Sequence, residues 1–197
     1  MKKLVLVGST GIIGREIVKL LGERYEIVEI NRSSGDYKVD MQDTMALDFV
    51  FEAIGGFDVL ISASGDGKWG KLSDLSIQDF HDGLNSKLMG QVNLVMIGRK
   101  YANYGASFIL TTGVLAHKPV VGGLTMTMIN LALEGFVKGA AVELEDGMTI
   151  NAISPSFAKE TMELLGIDPK YGVPAMEFAG LYEKALDEGQ TGRIYEL

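Results

Sequence analysis

The clearest chemistry in this chain lies in one short run near its start, Gly8-Ser9-Thr10-Gly11-Ile12-Ile13-Gly14. It follows the apolar residues Leu4-Val5-Leu6-Val7 and precedes the helical spacing of Ile17, Leu20 and Leu21. Glycine lets backbone approach closely, and a helix opening there turns free N–H groups and its positive dipole end toward an anion. A nucleotide pyrophosphate fits that description, with a ligand-free turn as the plainer alternative, because the spacing is G-x-x-G-x-x-G rather than the commoner G-x-G-x-x-G. A second group, Asn31-Arg32-Ser33, stands where an NAD site places an acidic residue on the ribose 2′-hydroxyl. Arg32, 18 residues beyond Gly14, can instead grip a 2′-phosphate through its planar fork, and Ser33 adds a hydroxyl donor. The pattern favours NADP(H) over NAD(H); a solvated loop arginine is the alternative. His117, in a loop rich in glycine, is the side-chain type best suited to proton transfer near neutral pH.

These groups need elements to position them. Continuous apolar runs at 4–7 and 59–61 predict strands buried on both faces, and 25–30 alternates as a strand does. Further strands are expected at 37–40, 107–111, 148–153 and 193–195. Helical spacing is expected over 44–54, along an amphipathic stretch from 76 to 104, over 123–144 and over 174–186. Strands alternating with helices imply an α/β, doubly wound parallel sheet with helices on both faces, binding ligands at the carboxyl ends of its strands.

At 197 residues the chain is expected to form a single domain, 1–197. Its net charge of -8 and pI near 4.8 argue against nucleic acid or an anionic membrane as partner. Without cysteine there is no disulfide framework, and no apolar run approaches the ~18 residues of a membrane span, so a cytoplasmic location is expected. No His, Asp or Glu cluster has metal-ligand spacing, and no metal is expected.

Four segments, in order, resemble the short-chain dehydrogenase/reductase family. Residues 8–14 resemble a short variant of its glycine motif, and Ser62-Ala63-Ser64-Gly65 its Asn-Asn-Ala-Gly segment against the adenosine. Asn151-Ala152-Ile153-Ser154-Pro155-Ser156 is similar to the segment flanking the nicotinamide, and Ala132-Leu133-Glu134-Gly135-Phe136 to the long helix after the catalytic lysine. The resemblance implies a three-layer Rossmann fold of about seven strands. It also implies Asp40 near the adenine, Pro155 near the nicotinamide, a substrate lid over 156–173, and a homodimer or homotetramer paired through the helices near 80–104 and 123–145.

The resemblance fails at the family's proton donor, a Tyr-x-x-x-Lys pair on one helix face. Met126 takes the tyrosine position and Asn130 the lysine position, and none of the seven tyrosines has a lysine four residues on. Thr112 stands where the family has its catalytic serine and Lys87 where it has its active-site asparagine. With His117 they are the candidates to polarise a carbonyl and move a proton; the alternatives are a strand-closing threonine, a solvated lysine and an exposed loop histidine. The reading is an NADP(H)-dependent oxidoreductase acting on a small carbonyl or unsaturated compound of unknown identity. The rival is a non-catalytic NADP(H)-binding sensor.

Overall fold

The computed structural model describes residues 1–197. Its frame is a seven-stranded sheet, all parallel: β1 (Lys2–Val7), β2 (Tyr25–Asn31), β3 (Tyr37–Lys38), β4 (Phe57–Ser62), β5 (Ala102–Thr111), β6 (Thr149–Ile153) and β7 (Ile194–Tyr195), in the order β3-β2-β1-β4-β5-β6-β7. The helices are α1 (Ile12–Leu21), α2 (Thr44–Ile54), α3 (Ile77–Gly83), α4 (Gly90–Gly98), α5 (Leu124–Glu143), α6 (Lys159–Leu164) and α7 (Ala175–Glu188).

Side chains alternate across each strand, so the apolar runs feed two cores. Val5, Val7, Leu60, Phe108 and Ile150 pack with α2, α4 and α5, whereas Leu4, Leu6, Ile61, Ile109 and Ile153 pack with α1 and α7. That is why these strands read as continuous apolar stretches: neither face meets water. From β1 the chain steps outward to β2 and β3, then returns to the other side of β1 as β4. The reversal opens a crevice between the carboxyl ends of β1 and β4.

The stretch expected to be helical from 76 to 104 stops earlier. Helix ends at Gly98, and β5 begins at Ala102. Phe57 pairs with Ala102 and Val59 with Ser107, so residues 103–106 loop out through Gly105 at φ 75°, and the regular ladder resumes at Ser107. The same stretch is also broken within. Between α3 and α4 residues Leu84–Met89 form a π-helical turn, whose extra residue per turn re-aims its side chains. Lys87 lies in that turn, buried at 5% exposure.

Candidate cofactor cleft and active site

Gly8 and Gly14 are held where no side chain fits. A Cβ on Gly14 would stand 2.0 Å from the Gly8 carbonyl oxygen, and one on Gly8, at φ +92°, 2.7 Å from that of Ala63. Helix α1 starts within this run at Ile12, with Gly11 as a cap that offers no side-chain acceptor and no acidic residue in the first turn. Its leading N–H groups are left for an outside anion. Above this turn lies a cleft of ≈ 660 Å³. Gly8, Thr10, Gly11, Ile12, Ile13, Asn31, Arg32, Ser33, Asp40, Ala63, Ser64 and Gly65 line it.

Ser9, Gly14, Ser62 and Pro155 do not line it. Ser9 is buried, its hydroxyl donating to the Glu29 carboxylate and accepting from Asn31 Nδ2 at 2.8 Å, so it braces β2 against the loop. Gly14 makes the close helix–turn approach, Ser62 is enclosed at the end of β4, and the Pro155 carbonyl accepts from Val114 N at 2.9 Å. Arg32 and Ser33 are exposed at the rim. Cleft residues absent from the sequence argument include Met41, Gln42, Ser86 and Thr161. Met41 and Gln42 directly follow Asp40 and were traceable from it; Ser86 and Thr161 arrive by tertiary folding alone. A dinucleotide fits this set: an uncapped helix end for the pyrophosphate, a side-chain-free cradle beneath it, and an exposed guanidinium at the ribose end.

Lys87, Thr112 and Asn130 converge deeper in the molecule, on the carboxyl side of β5. Lys87 Nζ donates to the Thr112 carbonyl oxygen at 2.8 Å and to Asn130 Oδ1 at 2.9 Å. An ammonium has three N–H donors, so one remains without a protein partner. No carboxylate pairs with it directly. Burial therefore pushes the Lys87 ammonium down to about 8, with the charge of Asp66 pulling the other way. Fully buried Gln91, one turn along on α4, fixes the backbone here by donating to the Thr111 and Lys87 carbonyls and accepting from Thr111 N at 2.9 Å. Gly65 seals the lysine stem, since a Cβ there would lie 2.8 Å from Lys87 Cα.

The Thr112 hydroxyl donates to the Asn130 carbonyl at 3.0 Å and is buried, so it faces α5. Met126 packs its sulfur under Gly67, where a Cβ would come within 2.9 Å of Sδ. His117 stands apart from the Lys87 cluster: Nε2 meets the Glu134 carboxylate at 2.8 Å, with the ring 53% exposed and the carboxylate side chain 3% exposed. The other Glu134 oxygen, Oε1, is buried without a partner. Gln91 and Glu134 were not singled out for chemistry from the sequence, because nothing local marks a buried polar side chain among apolar neighbours.

The fold and cleft together define a dinucleotide-binding domain of the doubly wound type. The sequence profile described as enoyl-(acyl carrier protein) reductase matches residues 15–171, and the chain belongs to the short-chain dehydrogenase/reductase family. Protein lin1944 from Listeria innocua superposes with a TM-score of 0.95 at 33% identity, covering 100% of both chains. A small-chain dehydrogenase solved in complex with NADPH gives 0.88 at 29% identity, over 100% of this chain and 97% of that one. Among curated proteins, hydroxynaphthalene reductase from Aspergillus fumigatus is 25% identical over 146 residues, 70% of this chain and 54% of the relative. The chain spans about half the length of the curated relatives it matches. No helix is long and apolar enough to cross a membrane.

Proposed function

We propose that this protein is an NADP(H)-dependent oxidoreductase that reduces a small carbonyl compound, with Lys87 as the proton donor. The observation that carries this reading is the buried Lys87 ammonium, oriented by the Thr112 and Asn130 carbonyl groups and left with one free N–H. Relative to the family pattern, a cation and an amide have exchanged helices: the lysine comes from the π turn before α4, and the asparagine from α5. A charge of the right sign thus stays in the same layer of the fold without the tyrosine. NADPH, when bound, supplies hydride to the carbonyl carbon. Lys87 then gives a proton to the oxygen as the C=O π bond breaks, yielding the alcohol, and is re-protonated from water.

Lys87 is suited to that step because its lowered proton affinity lies close to neutral pH, where an acid both holds and releases its proton readily. Thr112 serves through its main-chain carbonyl rather than its hydroxyl. His117, tied to Glu134 and half exposed, stands outside that step. Ile12, Ile13 and their neighbours at the start of α1 hold the pyrophosphate, with Arg32 and Ser33 on the 2′-phosphate. The NADPH-bound neighbour supports that choice for this chain. Exposed Met96 on α4 and Leu131 and Val142 on α5 support pairing with a second copy as a homodimer or homotetramer.

One observation favours the sensor reading: Thr112, the counterpart of the family's serine, turns its hydroxyl away into α5. A titration of the purified protein with NADPH and NADH, followed by NADPH absorbance loss across aldehydes, ketones, quinones and enones, decides between them. Tight NADPH binding with turnover is expected. Binding without turnover on any class would transfer the case to the sensor, and no binding would refute both.

A further inference from the structure

Two loops lie beside the Lys87 cluster: residues 66–70 after β4, whose Asp66 lines the cleft, and 155–158 after β6, which follow the Pro155 carbonyl bonded to Val114 N. Each presents one aromatic side chain to solvent. Trp69 is 46% exposed and Phe157 39% exposed, their ring centroids 6.3 Å apart and their planes inclined at 48°. Large aromatic surfaces are normally buried, so two that meet beside the cleft while staying wet invite a ligand.

The backbone beneath both rings is fixed. On the Trp69 side, Thr125 Oγ1 donates to the Lys68 carbonyl, Gly70 N donates to the Gly122 carbonyl at 3.0 Å, and Gly70 bridges to Gly123. On the Phe157 side, Val173 N donates to the Phe157 carbonyl at 3.0 Å, and buried Ala158 bridges to Val173. The rings are therefore presented on ordered supports, which lowers the entropy lost when something docks against them. Two residues inward from Trp69, Gly67 covers the Met126 thioether, an adaptable apolar group that favours aromatic neighbours. An inclined pair of rings forms a corner that takes one face and one edge of a flat ring, the two contacts aromatic groups prefer.

We propose that Trp69 and Phe157 bind the ring of a planar aromatic substrate, one whose reducible carbonyl is attached to, or part of, a flat ring system. The carbonyl in this statement rests on the reductase reading above; the ring site rests on these two side chains alone.

The test is calorimetric titration of the NADP⁺-loaded protein, which cannot reduce an aldehyde, with 2-naphthaldehyde and with cyclohexanecarbaldehyde. Trp69 is the only tryptophan, so its emission reports contact at the site directly. We expect 2-naphthaldehyde to bind about tenfold more tightly and to quench Trp69, and that preference to fall to about twofold or less in Phe157→Ala and in Trp69→Leu. Both side chains are exposed, and unchanged far-ultraviolet dichroism will verify the fold of each variant. Equal affinities in the unsubstituted protein, or a preference that survives both substitutions, would overturn the inference. Should NADP⁺ itself fail to bind, the cofactor reading falls, and the same titrations on the cofactor-free protein still decide the ring site.

Discussion

The two ends of this crevice are built on opposite plans. At the glycine turn, the proposed cofactor site is backbone: close approach at Gly8 and Gly14, an uncapped helix end, and side chains that keep out of the way. Seven consecutive residues form the turn, and their order in the chain is their order in space. Around Lys87, the proposed proton step rests on side chains delivered from separate elements, with the lysine meeting residues 25 and 43 positions away. Such a centre can exchange its parts while keeping its charge, because a cation reached from one helix or from its neighbour occupies the same region. The backbone site has no such freedom, since no other residue type reproduces a missing Cβ.

Substitutions can break or sharpen this contrast. The largest effect is expected from Gly14→Ala, whose methyl group would collide with the Gly8 carbonyl. Destabilisation of about 3 kcal/mol and loss of NADPH binding should follow, measured by denaturant melts and cofactor titration. A variant that binds NADPH normally would remove the turn from the cofactor site. Next comes Lys87→Met, expected to lower carbonyl reduction by about a hundredfold while NADPH affinity holds, a split that separates the two ends of the crevice. Unchanged turnover would take the proton step away from Lys87.

Arg32→Ala should weaken NADPH by roughly thirtyfold and NADH hardly at all, as fits the loss of a charge-assisted pair. Equal weakening of both would deny a 2′-phosphate contact. The smallest effect is in stability against pH. Because burial holds Lys87 near 8 in the folded protein against an ordinary 10.5, the unfolded chain binds the extra proton between those values. Stability should therefore rise with pH from about 8, by at most ~1.4 kcal/mol per pH unit. Near pH ~10 the ordinary tyrosine range begins, and the gain is opposed by Tyr182, whose phenol is pushed well up by burial despite its bond to Thr111. Unfolding free energies of the parent and of Lys87→Met across this range would check it, the slope between 8 and 10 vanishing in the variant.

Much of the frame was legible before folding. Apolar runs at 4–7 and 59–61 became β1 and β4, the spacing at 44–54 became α2, and the turn between β1 and α1 fell at the crevice. These succeed because burial on both faces of a sheet and a 3.6-residue period impose local patterns. The stretch 76–104 did not read correctly. Its periodicity runs through a π turn and into the start of β5, and neither an extra residue per turn nor a looped-out strand entry leaves a mark in apolar spacing. The absence of a Tyr-x-x-x-Lys pair was equally plain in the sequence, and it is a fact about composition and spacing alone.

What the sequence determined by itself is therefore whatever depends on neighbours along the chain: alternating strands and helices, the glycine cradle, and Arg32 in place of an acid at the end of β2. Tertiary structure decided whatever depends on neighbours across it. A lysine that reads as a solvated helix residue is turned inward by a π turn and held by Thr112 and Asn130, and Trp69 meets Phe157 across two loops. The physical reason is that burial and charge environment are set by everything packed around a side chain, which no local run of residues encodes.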